Sequence, residues 1–309
     1  MKIYVAGHKG LVGSAIVRAI EADAKHTWIG QSRQQLDLLQ RDSVFDYIDQ
    51  ERPDWVVIAA ARVGGIHANS TYPVEFLSEN LQIETNLIDA CHAARIKRVL
   101  FLGSSCIYPK NSPQPIKEEY LLTGPLEPTN EAYALAKISG LKLIEAYRRQ
   151  YGHQWISAMP TNLYGPGDNF DLENSHVLPA LVRRVYEAKR DGVTSLKLWG
   201  SGTPRREFLH ADDLARASLF LLENYDGDTA PNVGTGLDIE IRELAELISQ
   251  IAGFDGEIEW DTTRPDGTMR KVLDTSLISE LGWKPEVSLQ DGLTSTFHDF
   301  VKSQHLSRN

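Results

Sequence analysis

Few folds suit a chain that opens on a short apolar run, breaks on three evenly spaced glycines and resumes with helical periodicity. Ile3 to Ala6 reads as a strand, Gly7-His8-Lys9-Gly10-Leu11-Val12-Gly13 as a turn, and Ser14 to Ile20 as the start of a helix. Glycine permits both the tight turn and close approach of the backbone to a bound pyrophosphate. The helix N-terminus then faces the anion with its unpaired N–H groups. The turn residues Gly7, His8, Lys9, Gly10, Leu11, Val12 and Gly13 are therefore expected to hold a dinucleotide, although their spacing is G-x-x-G-x-x-G rather than G-x-G-x-x-G.

The pattern downstream agrees. Strand-like runs at Thr27–Gly30, Trp55–Ala61, Val99–Leu102 and Trp155–Met159 alternate with helical stretches at Ser43–Gln50, Val74–Arg95 and Asn130–Tyr151. Arg62 to His67 reads as a loop. Such alternation predicts an α/β fold, a doubly wound parallel sheet of the Rossmann kind, whose ligands lie at the carboxyl ends of the strands. After the second strand the chain offers Gln31-Ser32-Arg33 where an NAD enzyme would offer an acid. Arg33, with Lys9, suits a ribose 2′-phosphate, so NADP(H) is the expected cofactor. Asp37 and Leu38 are expected near the adenine.

The strand ending at Leu102 runs into Gly103-Ser104-Ser105-Cys106, and a later helix carries Tyr133 and Lys137, four residues apart on one face. A serine hydroxyl can polarise a carbonyl oxygen and a tyrosine can protonate it. The Lys137 ammonium is expected to lower a tyrosine pKa that is otherwise about 10. Gly7, Ala60 and Ser104 all fall at strand ends, which puts this pair beside the cofactor turn.

Composition narrows the partners. A formal net charge of -10 with no basic block argues against nucleic acid. Two cysteines, Cys91 and Cys106, give no disulfide framework, and Cys91 reads as a core residue. The nine histidines are scattered, so no metal site is assigned. No apolar run reaches membrane-spanning length, and the expected location is cytoplasmic. Residues 1–165 with about 206–230 are read as the NADP-binding domain, and 166–205 with 231–309 as a smaller α/β substrate-binding domain.

With the glycine turn, Ser104, Tyr133 with Lys137 and Asn162-Leu163-Tyr164-Gly165-Pro166 in view, the chain resembles the extended short-chain dehydrogenases/reductases. Further stretches resemble the GDP-L-fucose synthase branch: Gly103 to Pro109, Asn174-Ser175-His176-Val177, Trp199 to Pro204, Arg206 to His210 and Pro265-Asp266-Gly267-Thr268. The resemblance implies NADPH-dependent conversion of GDP-4-keto-6-deoxy-D-mannose, by epimerisation at C3 and C5 followed by reduction at C4. It implies Ser104, Cys106, Tyr133, Lys137 and His176 as catalytic residues, with Cys106 as base and His176 as acid. It adds Gly103, Ser105, Pro160, Thr161, Asn162, Leu163, Lys137 and His176 to the cofactor site, and gives Arg184, Trp199, Arg206 and Asp266 to the nucleotide sugar. A structural thiol is the lesser alternative for Cys106, and Ser105 can act through backbone or side chain. Other nucleotide-sugar epimerases and dehydratases, and a non-catalytic NADP-binding regulator, are the alternatives. The dehydratases place an acidic pair where this chain has Ser105-Cys106. A homodimer formed through the helix at 74–95 and the Tyr133 helix is likewise implied.

Overall fold

The computed structural model describes residues 1–172, 174–264 and 266–306; Pro265 of the motif above and residues 307–309 lie outside these. The first half runs β1 (Lys2–Ala6), α1 (Leu11–Asp23), β2 (Thr27–Ile29), α2 (Arg41–Glu51), β3 (Trp55–Ile58), α3 (Ile66–Thr71), α4 (Pro73–Ala93), β4 (Arg98–Leu102), α5 (Glu131–Tyr151) and β5 (Ile156–Pro160). Five of its strands join β9 (Asn232–Val233) in a sheet of order β2-β1-β3-β4-β5-β9, every pair parallel.

Side-chain alternation along these strands divides the core. Tyr4, Ala6, Val56, Ile58, Val99 and Phe101 face α2, α4 and α5. Ile3, Val5, Trp55, Val57, Leu100 and Leu102 face α1 and the helix α7 (Ala211–Asn224). Burial on both faces explains why β3 reads as an unbroken apolar run. The strand expected to continue to Ala61 stops at Ile58, and the stretch read as a loop through His67 already turns helical at Ile66. Gly64 and Gly65 just before it hid that helix from the periodicity. Pro73 occupies the first turn of α4, where its missing N–H costs nothing.

The second layer is built from β6 (Asn162–Tyr164), α6 (Val177–Arg190), β7 (Ser195–Trp199), β8 (Arg205–His210), β10 (Asp238–Glu240), α8 (Ile241–Ala252), β11 (Glu257–Asp261), β12 (Arg270–Lys271) and α10 (Leu289–Leu306), while α9 (Ser276–Glu280) buries Ile278 in the core of the parallel sheet. β8 is its hub: β6 and β12 lie parallel to it and β10 antiparallel. β7 and β11 form a separate parallel pair. A third core of Leu181, Val185, Leu244, Ile248 and Phe300 binds α6, α8 and α10. Glu240 and Glu243 close a reciprocal cap on the start of α8. The layers are tied by a parallel bridge between Ile116 and Leu273 and by the Asn232 amide, which donates to the carbonyls of Ile116 and Asp274.

Candidate active site

The glycine turn forms as the sequence requires. Gly7 has φ 86°, and a Cβ there would meet Ala60 N at 2.8 Å. A Cβ on Gly13 would fall 2.0 Å from the Gly7 carbonyl oxygen, so only glycine lets α1 close onto the turn. Gly10 caps α1 with no side-chain hydrogen bond, which leaves the helix N-terminus free for an anion. Leu11 and Val12 pack into the core beneath. The His8 ring lies 5.7 Å from Trp28, and burial, then Lys9, holds its pKa below the ordinary value. Lys9 and Arg33 are exposed beyond the ends of β1 and β2, which pair in register. These features fit a dinucleotide phosphate group with a second phosphate beside it. Leu38 is held by its carbonyl, which accepts from Asn86 Nδ2 at 2.9 Å, and Asp37 caps Leu39 N.

At the end of β4, Gly103 presses on Met159, where a Cβ would come 2.5 Å from its sulfur. Ser104 Oγ accepts from Cys106 N at 3.2 Å and stands close enough to the Tyr133 hydroxyl to favour its ionised form, while Ser105 is buried. Serine and tyrosine thus meet across the strand end as expected. The expectation that Lys137 lowers the Tyr133 pKa is not met. Enclosure raises it first, negative charge at Cys106 and Glu84 adds to this, and only the neighbouring Ser104 hydroxyl opposes. Lys137 is turned elsewhere: its Nζ donates to the Leu102 carbonyl and pairs with Glu84, each at 3.0 Å.

Cys106 is half-buried, and Lys271 Nζ lies 3.7 Å from its sulfur. This lysine, on β12, escaped sequence reasoning because 165 residues separate the two. The same cation acts on His176, whose pKa is lowered by its surroundings first and by Lys271 second. His176 occupies the cap position of α6 without a side-chain cap bond, and it is exposed to solvent. The segment before it is seated on the loop after β3 by a 2.9 Å bond from Gly65 N to the Asn174 carbonyl.

Pro160, Thr161, Asn162 and Leu163 run from β5 into β6. Asn162 Nδ2 donates to the Glu207 carbonyl at 2.8 Å, and Thr161 Oγ1 donates to the same oxygen at 3.4 Å. Their side chains therefore hold β6 against β8.

On the second layer, Arg184 and Arg264 sit 5.6 Å and 5.1 Å from the Trp199 ring, which is 64% exposed. Arg264 is a further residue the motifs did not single out. Asp266 accepts from Ser201 N at 2.9 Å and Ser201 Oγ at 2.7 Å. These bonds, then Arg206, keep its carboxyl below the usual range. Arg206 donates to the Arg205 carbonyl at 2.8 Å. Two guanidinium groups around an open indole suit a base to stack and a diphosphate to pair.

Among the described residues, one His/acid cluster, Asp23, His26 and Glu223, brings ligand-type atoms within 4.8 Å. It lies at the amino end of β2, away from the cleft. No described helix is long and apolar enough to cross a membrane.

Residues 3–234 match the profile of the NAD dependent epimerase/dehydratase family. GDP-L-fucose synthase 1 of Arabidopsis thaliana is 55% identical over 302 residues, covering 98% of this chain and 94% of its own. GDP-L-fucose synthase of Escherichia coli K12 is 50% identical over 312 residues, covering 98% and 97%. The structure of a GDP-L-fucose synthetase from Naegleria fowleri bound to NADP superposes with a TM-score of 0.91 at 28% identity, covering 100% of this chain and 96% of that one. Similarity sustained over nearly the whole length leaves one assignment: the chain belongs to the NAD dependent epimerase/dehydratase family, in its GDP-L-fucose synthase branch.

Proposed function

We propose that this protein converts GDP-4-keto-6-deoxy-D-mannose to GDP-L-fucose with NADPH, inverting C3 and C5 before reducing C4. The observation that carries the reading is the meeting of Ser104 with Tyr133 beside a cysteine paired to Lys271.

The ketone at C4 acidifies the hydrogens at C3 and C5, because the enolate places its charge on the ketone oxygen. Ser104 and Tyr133 donate hydrogen bonds to that oxygen. Cys106, with the Lys271 ammonium against its sulfur, takes the proton from carbon. His176 returns one on the other face. Its lowered pKa leaves the resting imidazole neutral, so each inversion draws its new proton from water through His176 and gives the Cys106 proton back to water. A raised Tyr133 pKa keeps the phenol protonated through the neutral range, so it can hydrogen-bond the enolate and later give its proton to the C4 oxygen. When bound, NADPH supplies the hydride to C4. Lys137 fixes the nicotinamide ribose, while Arg33 and Lys9 meet the 2′-phosphate and Asp37 and Leu38 the adenosine. Arg184, Arg206, Trp199 and Asp266 hold the GDP-sugar.

Incubation with GDP-4-keto-6-deoxymannose and NADPH tests this by cofactor absorbance, and no oxidation would sink it. In the same assay Cys106→Ala should abolish deuterium uptake at C3 and C5 while NADPH still binds. Unchanged exchange removes Cys106 as the base.

The working unit is a homodimer in the cytoplasm, formed through α4 and α5. This is supported by the apolar side chains those helices leave exposed, Val74, Leu135 and Tyr151. A light-scattering mass of one chain, 34.6 kDa, overturns it.

A further inference from the structure

Lys137 has a partner that spacing does not reveal. Glu84, on α4, puts Oε1 3.0 Å from the lysine Nζ, and the two side chains are only 2% and 3% exposed. The same Nζ donates to the Leu102 carbonyl and lies 4.6 Å from the centre of the Phe101 ring. α5 makes room for the carboxylate. A Cβ on Gly140, three residues after Lys137, would come 2.7 Å from Glu84 Oε2 and 2.5 Å from Phe101 Cζ. Glycine inside a helix weakens it, and an acid in a core is costly to desolvate. Two unfavourable residues thus meet at one point, directly behind the Tyr133–Lys137 face, where Leu87 and Ile88 a turn away are ordinary core.

We propose that Glu84 is a positioning residue for the reduction: its carboxylate fixes Lys137 between the Leu102 carbonyl and the Phe101 ring. The same carboxylate is a negative charge felt by Tyr133. An ammonium has three N–H donors. One goes to Leu102, while Glu84 pairs with the ammonium by charge at 3.0 Å with neither carboxylate oxygen in a hydrogen bond, so donors remain for the cofactor ribose or the tyrosine. Glu84 is one of several groups around the phenol. Ser104 faces it from the end of β4 and Cys106 from the turn after β4, with Lys271 of β12 behind the sulfur. Phe76 and Glu84 face it from α4, Lys137 lies on its own helix, and His176 shares the Lys271 charge across the cleft. Cys106 and Glu84 both raise the tyrosine, with Glu84 the smaller of the two, and the Ser104 hydroxyl lowers it. Removing the Glu84 charge therefore lowers the Tyr133 pKa, and the phenol is lost at a lower pH.

The inference rests on the proposed reaction, and the test is the pH profile of NADPH oxidation with the GDP-ketosugar. Glu84→Gln keeps the shape and removes the charge. The basic limb of its kcat profile should move down by about one pH unit, while Glu84→Asp keeps the limb where the wild type has it. A limb unmoved in Glu84→Gln overturns the proposal. Should Glu84→Gln not fold, Glu84→Asp decides by the positioning effect alone. Reduction about tenfold slower at an unchanged sugar-nucleotide KM supports it, and wild-type kcat overturns it. Wild-type protein that oxidises no NADPH instead defeats the assigned reaction and leaves Glu84 without one to serve.

Discussion

The two sides of the cleft are made differently. The proposed cofactor side is backbone against backbone: Gly7 on Ala60 and Gly13 on the Gly7 carbonyl leave no space for a single added carbon. The proposed sugar-nucleotide side is side chain in water. Trp199 stands exposed between two arginines, and Asp266 is anchored to the neighbouring Ser201 rather than to the core. A close-packed turn exists before its ligand arrives and fails as a unit. An open stack of long side chains loses rotamer freedom when the ligand binds and yields a little at a time.

The comparison can be broken from either end. Gly13→Ala should cost most, because its Cβ meets a backbone carbonyl and α1 must shift away from the turn. NADPH affinity should fall about a hundredfold, on the order of 3 kcal/mol, in a fluorescence titration of protein whose far-UV spectrum is unchanged. Affinity within a factor of two or so of wild type would mean that the turn is looser than its packing. Trp199→Ala should cost least. The sugar-nucleotide KM should rise about fivefold, on the order of 1 kcal/mol for a stacked exposed cation, with kcat and thermal midpoint unmoved. A loss as large as that of Gly13→Ala would show the sugar side to be equally preformed.

The same contrast decides what the sequence discloses. The glycine turn, Ser104 at a strand end and the Tyr133–Lys137 spacing are local, so each can be read in a window of a few residues. The alternation of β and α elements then implies that the windows meet at one sheet edge. The groups that set their chemistry are not local. Lys271 reaches Cys106 and Glu84 reaches Lys137 only because β12 pairs with β8 and α4 lies beside α5. The spacing alone therefore aims Lys137 at the tyrosine, whereas its nearest charge is a carboxylate on another helix. Arg264 adjoins the Pro265-Asp266-Gly267-Thr268 motif, but only the fold brings it against Trp199 as a second cation.

The 165 residues between Cys106 and Lys271 also have a meaning in time. Chains emerge at about 5–20 residues per second and fold from the N-terminus. The strands β1 to β5 can assemble while β12 is still unmade. For roughly ten to thirty seconds the nascent protein carries its nucleotide turn and its tyrosine without the cation that pairs the thiol. The site is finished late, by a strand of two residues, and the thiol gains its cation only when nearly the whole chain has been made.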